Sequence, residues 1–153
     1  YGVEARAVAR TNDVKRTRRL IGKADDWHER ADLLSSPPWL DHHDETMHAA
    51  DTGHALADAA TWGKKPVDVD VKACREAAVR LKTALPSEAS PRTRIFCSAV
   101  LAKISYMTPE IGERRRADAW ANWAHTSARE IRSARAEQLI EDMRIAARIT
   151  NAA

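Results

Sequence analysis

Residues 90–107, Ser90-Pro91-Arg92-Thr93-Arg94-Ile95-Phe96-Cys97-Ser98-Ala99-Val100-Leu101-Ala102-Lys103-Ile104-Ser105-Tyr106-Met107, decide the fold class. Serine is a strong N-cap, because its side-chain oxygen accepts from an N–H that the first turn leaves unpaired. Proline at the first helical position loses nothing, since that N–H has no intrahelical partner. The pattern predicts a helix over 91–107. Its apolar residues fall on almost every side, which places it in the middle of a core rather than on a surface. Phe96 is expected inside that core.

The same grammar repeats on both sides. Upstream, Asp68 or Asp70 caps a helix to about Leu85 with the stripe Val71, Cys74, Ala78, Leu81 and Leu85, and Pro86 breaks it. Gly63 ends the helix before that one, which Asp41 caps while Trp39 and Leu40 fold over its first turn. Ser35-Ser36-Pro37-Pro38 separates it from a first long helix, begun by Asn12 or Asp13 and running to about Leu34. The buried stripe of that helix is expected to be Leu20, Ala24, Trp27, Ala31 and Leu34. Residues 1–12 are either a short separate helix or a flexible basic arm. Downstream, Thr108-Pro109 repeats the cap-then-proline start. Ser127-Ala128-Arg129-Glu130 reads as a capping box, so the stretch to Thr150 is expected to break between Ala124 and Ser127. The expectation is an all-α, single-domain bundle over 1–153, of about six helices around the central apolar helix 91–107.

Composition agrees. A chain of 153 residues can bury a real core, and aromatic residues make up only 5% of it. Ala, Leu and Arg, which lose little on entering a helix, dominate. No apolar stretch is long enough to span a bilayer, and Tyr1 to Arg10 lack the layout of a secretory signal. The expected location is cytoplasmic, with no membrane partner. Cys74 and Cys97 fall on apolar helix faces and form no ligand motif, so both are expected as buried, reduced thiols.

Net charge is +3, but it is unevenly spread: +5 over 1–23, −8 over 24–62, +5 over 63–107 and +1 over 108–153. Such polarity either seats different partners on different surfaces or neutralises itself between packed helices.

Catalysis finds little support. The one histidine-acid cluster runs from Asp41 to His54, and Asp44, His48 and Asp51 share a helix face that could hold a divalent metal. There is no HExxH and no second ligand pair, and early acids also suit the helix dipole. His43, Met47, Ala50 and His54 form another stripe, read as a half-buried helix face. No Gly-rich phosphate loop and no nucleophile turn occurs. An enzyme is not expected, nor a cofactor, nor a resident metal.

The basic clusters are the better lead. Arg16, Arg18 and Arg19 lie on the first long helix, with Lys15 beside them and Arg6 and Arg10 before them. Lys64 and Lys65 lie in a loop, Arg92 and Arg94 in the first turn of the apolar helix, and Arg114, Arg115 and Arg116 near the start of the next. Arg129, Arg132 and Arg135 step along the last stretch. Arginine suits phosphates because its planar fork donates two bonds at once. Trp120 and Trp123 are neighbours at i, i+3, and Trp39 and Trp62 flank the acidic helix. All four are candidate protein-interface anchors, with helix packing as the plainer reading. A helix-turn-helix could be drawn from 70–107, but its second helix is too apolar to read a groove.

A helical chain with arginines at helix starts and interface tryptophans resembles the small-subunit family of multi-subunit CRISPR effector complexes. The resemblance is one of architecture, and no residue motif carries it. It implies a non-catalytic subunit that packs against backbone subunits and neighbouring copies. It also implies contact with guide RNA or target nucleic-acid phosphates, through Arg114 to Arg116, Arg92, Arg94, Lys64 and Lys65. The alternatives are a self-assembling phage or virus protein that packages nucleic acid, and a helical DNA-binding regulator.

Overall fold

Helix starts follow the capping residues. Asp13 accepts from the N–H of Arg16 at 2.8 Å, Asp70 from Ala73 at 2.9 Å and Ser90 from Thr93 at 3.1 Å. The computed structural model describes residues 1–33, 44–86, 89–108 and 114–151. All regular structure among them is helical, as expected: α1 (Gly2–Ala9), α2 (Val14–Leu33), α3 (Glu45–Thr61), α4 (Val71–Thr83), α5 (Pro91–Met107), α6 (Arg114–Ile131) and α7 (Ala134–Asn151). A 3-10 turn, Pro66–Asp68, precedes α4. No helix is long and apolar enough to cross a membrane among the described residues.

Two boundaries differ from expectation, and one that the sequence left open is decided. The cap of α3 is Asp44, whose carboxylate accepts from Met47 at 2.8 Å; Trp39, Leu40 and Asp41 lie outside the described residues. Residues 1–12 are not an arm. They contain α1, which buries Ala5, Val8 and Ala9 against α2 and α3. The break in the last stretch falls at Arg132-Ser133, not between Ala124 and Ser127. The reason is packing: Ala117, Ala121, Ala124 and Ala128 form one buried stripe, and a break at Ser127 would have pulled its last members out of the core. Arg132 takes up the turn in the left-handed region, with φ 47°.

Two helices carry the core. Helix α5 packs against α3, α4, α6 and α7 and fully buries Ile95, Leu101 and Ile104, as its all-round apolar pattern predicts. Helix α3 is a second hub, packed against α1, α2, α4 and α5. Its buried surface is mostly alanine with Leu56, a pattern less visible than large apolar side chains. Small residues let α4 come close: a Cβ on Gly53 would meet Leu81 Cγ at 2.9 Å and the Leu81 backbone nitrogen at 3.2 Å.

Two aromatic assignments change. Trp27 leaves the core and is 59% exposed: Leu20 of its expected stripe is buried, but the described buried residues of α2, Thr17, Leu20 and Ile21, all lie in its first half, and Trp27 comes two turns after Leu20. Phe96 is half-buried and packs on the edge of the core rather than inside it.

Candidate functional site

Ion pairs between helices tie down much of the uneven charge. Arg80 grips Asp25 with two hydrogen bonds, at 2.7 and 3.0 Å, and also donates to Thr52 at 3.1 Å. His48 meets the same Asp25 at 2.6 Å, and the His28 ring stacks on His48 with centroids 4.4 Å apart. Burial alone would raise the Asp25 carboxyl, but the hydrogen bonds from Arg80 and His48 outweigh it and hold the group below the usual range. Arg18 pairs with Glu76 at 2.7 Å and Arg6 with Asp51 at 3.2 Å. Basic and acidic segments thus neutralise one another across α1, α2, α3 and α4. The Asp44, His48 and Asp51 face is divided among separate tasks: Asp44 caps α3, His48 meets Asp25 and Asp51 holds Arg6. No group of three or more potential metal ligands comes together among the described residues.

Other cations are left for solvent or a ligand, and they converge. Helices α3, α5 and α7, with Arg6 and Arg10 at the α1 end, enclose a groove of about 350 Å³. Arg10, Arg92, Lys103 and Arg135 line it from separate segments of the chain, and none reaches a carboxylate within ion-pair distance among the described residues. Three of them lie over aromatic rings. Arg10 is 4.8 Å from the centroid of Trp62, and Arg92 and Arg135 are 5.7 and 5.3 Å from that of Phe96. Such contacts hold a guanidinium by its flat face while its N–H edge stays open to a partner. A second hollow of about 370 Å³ continues past Trp62 and brings in Lys64. Gly63 makes that corner possible with φ +63°, in the left-handed region.

The α3 wall contains Met47, Ala50 and His54, the members of the stripe expected to be half-buried that fall among the described residues, together with Asp51 and Asp58. His54 sits at the bottom, and burial pulls its imidazole down to about 3, with Arg6 and Arg135 adding to the effect. Its Nε2 lies 3.8 Å from Cys97 Sγ. Burial pushes the Cys97 thiol up to about 12, and Cys97 has no exposed surface. A neutral thiol beside a neutral imidazole, closed to substrate, has none of the thiolate character that nucleophilic catalysis needs. Cys74 is also buried, and burial raises its thiol to about 12. Asp58 is half-buried on the same wall. Burial raises its carboxyl despite Lys103, Arg6 and Arg10 nearby, and Asp142 raises it further.

A second cationic-aromatic surface lies on α6. Trp120 and Trp123 pack against the core, so they are partly structural. Lys82 and Arg116 each lie 5.9 Å from the Trp120 centroid, and Arg94 lies 5.0 Å from that of Trp123. Arg92 and Arg94 therefore serve different surfaces. Arg115, Arg19 and Lys65 are exposed, and Arg16 reaches Glu4 only at 4.0 Å. Arg18 is engaged by Glu76 and belongs to the packing of α2 on α4. Arg114 begins α6, and Trp62 is 40% exposed at the groove.

Sequence reasoning missed Lys103, Asp58 and Asp142 as groove residues and placed Phe96 in the core. Part of the signal was local: Arg92 to Phe96 and Arg116 to Trp120 are i, i+4 pairs, which share a helix face. The Arg10–Trp62 and Arg135–Phe96 contacts are long-range and have no such signal. Comparison with known proteins gives no match to a family model, to a curated protein or to a solved structure.

Proposed function

We propose that this chain is a non-catalytic subunit of a ribonucleoprotein assembly that holds RNA or DNA mainly by its phosphates. This is the role filled by the small-subunit family of multi-subunit CRISPR effector complexes, which the chain resembles in architecture. The observation that carries it is the convergence of Arg10, Arg92, Lys103 and Arg135 on one groove with no carboxylate in ion-pair reach among the described residues. Cations drawn together from distant parts of a chain repel one another, the groove's Asp51, Asp58 and Asp142 offset only part of that, and an anionic ligand relieves the rest. Arg94 and Arg116 on the α6 surface give a backbone a second place to rest. Trp27, exposed beside the exposed acids Asp26 and Glu29, supports a contact with a backbone subunit or a neighbouring copy. A DNA-reading regulator is disfavoured, because α5 spends its surface on the core.

The test is fluorescence anisotropy with a labelled single strand of about 12 nucleotides. Affinity is expected to fall roughly twentyfold to fiftyfold between about 50 and about 200 mM salt, as three or four phosphate contacts require. Reversing Arg10, Arg92 and Arg135 to Glu should remove most of the binding with helicity by circular dichroism kept, and reversing Arg114, Arg115 and Arg116 should weaken it. Binding that is absent, or indifferent to salt and to both reversals, would overturn the reading.

A further inference from the structure

Four features of the groove do not follow from phosphate binding alone. First, it is concave and small. At about 350 Å³ it lies at the lower end of ligand pockets, which run from roughly 300 to 1,000 Å³. That is room for a nucleotide unit and not for a duplex, whose bases stay stacked inside. Second, its floor is apolar between the charges, with Ala50, Ala57, Val100 and Leu139. Third, three of its cations are guanidiniums that lie over aromatic rings, Arg92 and Arg135 at Phe96 and Arg10 at Trp62. Bases stack on such planes when they are splayed out of a strand. Fourth, it contains carboxylates, which repel phosphate.

Asp58 is the informative one. Asp51 is held by Arg6 and Asp142 accepts from Gln138 at 3.1 Å, whereas the Asp58 side chain has neither a hydrogen bond nor an ion pair among the described residues. Burial raises its pKa, so an ionised Asp58 without a donor is unfavourable, and a donor to it would relieve that cost. A carboxylate is an acceptor only, with two oxygens side by side, and its complement is a pair of N–H donors. Guanine offers such a pair through two parallel N–H groups, and cytosine N4 and adenine N6 each offer one amino N–H to a carboxylate oxygen. Uracil and thymine offer a lone N–H flanked by two carbonyl oxygens, which face a carboxylate unfavourably.

We infer that the groove takes one unpaired nucleotide of a single strand, stacked against the Arg–aromatic layers with its amino edge hydrogen-bonded to Asp58. This rests on the phosphate-holding reading above and goes beyond it: the base, not only the backbone, is selected. The strand's phosphates lie outward, where Arg10, Arg92 and Arg135 meet them.

The experiment compares labelled oligo(C), oligo(A) and oligo(U) of equal length at one salt concentration, with wild type and Asp58→Asn. Wild type should bind oligo(C) and oligo(A) about fivefold or more tighter than oligo(U). Asp58→Asn should lose that preference and keep the salt dependence, because the phosphate contacts remain. A hairpin duplex of equal charge should bind more weakly than oligo(C). Cytidine monophosphate should displace oligo(C) only at far higher concentration than unlabelled oligo(C) does, since it brings one phosphate instead of several. Equal, salt-dependent affinity for all three strands would overturn the base pocket and leave the phosphate reading standing. Absence of binding to every strand would overturn both. Cytidine monophosphate competing as well as the strand would overturn the assignment to a strand.

Discussion

At His54 a single side chain reports how closed the interior is. Its imidazole is pulled to about 3 from an ordinary 6.5, so the folded protein keeps it neutral where the unfolded chain would protonate it. The stability this secures is fully present above 6.5 and is lost as the pH falls towards 3, because only the unfolded state takes up the proton. Between about pH 7.5 and about pH 5.5 His54 should cost the wild type about 1.4 kcal/mol of unfolding free energy. Urea unfolding of His54→Gln should lack that share of the slope; an identical pH dependence in both proteins would show that His54 is not the source. Asp25 behaves in the same sense at lower pH, since its carboxyl is held below the usual range and its pairing is lost as the pH falls through that lowered value. Asp58 has the opposite sign: a raised carboxyl makes the charged form unfavourable at neutral pH. One acid stabilises the fold and the other is carried against it. Only the second lies in the groove.

Between elements, α3 packs closely on α4, and Gly53 allows it. Adding a methyl group there would meet Leu81 at 2.9 Å, including its backbone side at 3.2 Å. Gly53→Ala is expected to lower stability by about 1–3 kcal/mol despite the better helix propensity of alanine. Gly22, in the middle of α2, has nothing within 4 Å of where a Cβ would be, and Gly22→Ala should gain about 0.5–1 kcal/mol from propensity alone. Thermal unfolding of the two variants separates the cases, and a shift of the same sign in both would refute the packing argument. The α4 and α5 starts were legible because Asp70, Ser90 and Pro91 act within one turn of themselves. The end of α6 was not, because Ser127-Glu130 has a valid local capping pattern that loses to the burial of Ala124 and Ala128 against the core. Trp27 was misplaced because spacing marks a stripe along a helix but not how far along it the neighbours reach: Leu20 is buried, and Trp27, two turns on, is not.

Across the whole molecule, the two hubs α3 and α5 touch each other, and α4 also packs on α5. The first four helices and the last three should therefore unfold together. Tryptophans report on both parts, Trp27 and Trp62 in the first and Trp120 and Trp123 in the second. Urea transitions by tryptophan fluorescence and by far-ultraviolet circular dichroism are expected to coincide. Two separated transitions would show that the α3–α5 contact does not couple the parts. The long-range charge pattern also takes its meaning at this scale. Arg6, Arg18 and Arg80 are drawn into ion pairs between helices, while Arg10, Arg92, Lys103 and Arg135 are left facing a groove. The candidate list read from the sequence mixed the two kinds, because a basic residue looks the same in either role.

The amino-acid sequence by itself determined the helices, most of their caps and the burial of α5, since capping and amphipathic periodicity act over three to seven residues of one segment. Only the tertiary structure decided which of the described cations remain unpaired, how far along α2 burial extends and that Arg135 and Arg92 share the ring of Phe96. Those outcomes depend on which faces of distant helices meet, and local spacing carries no information about that meeting.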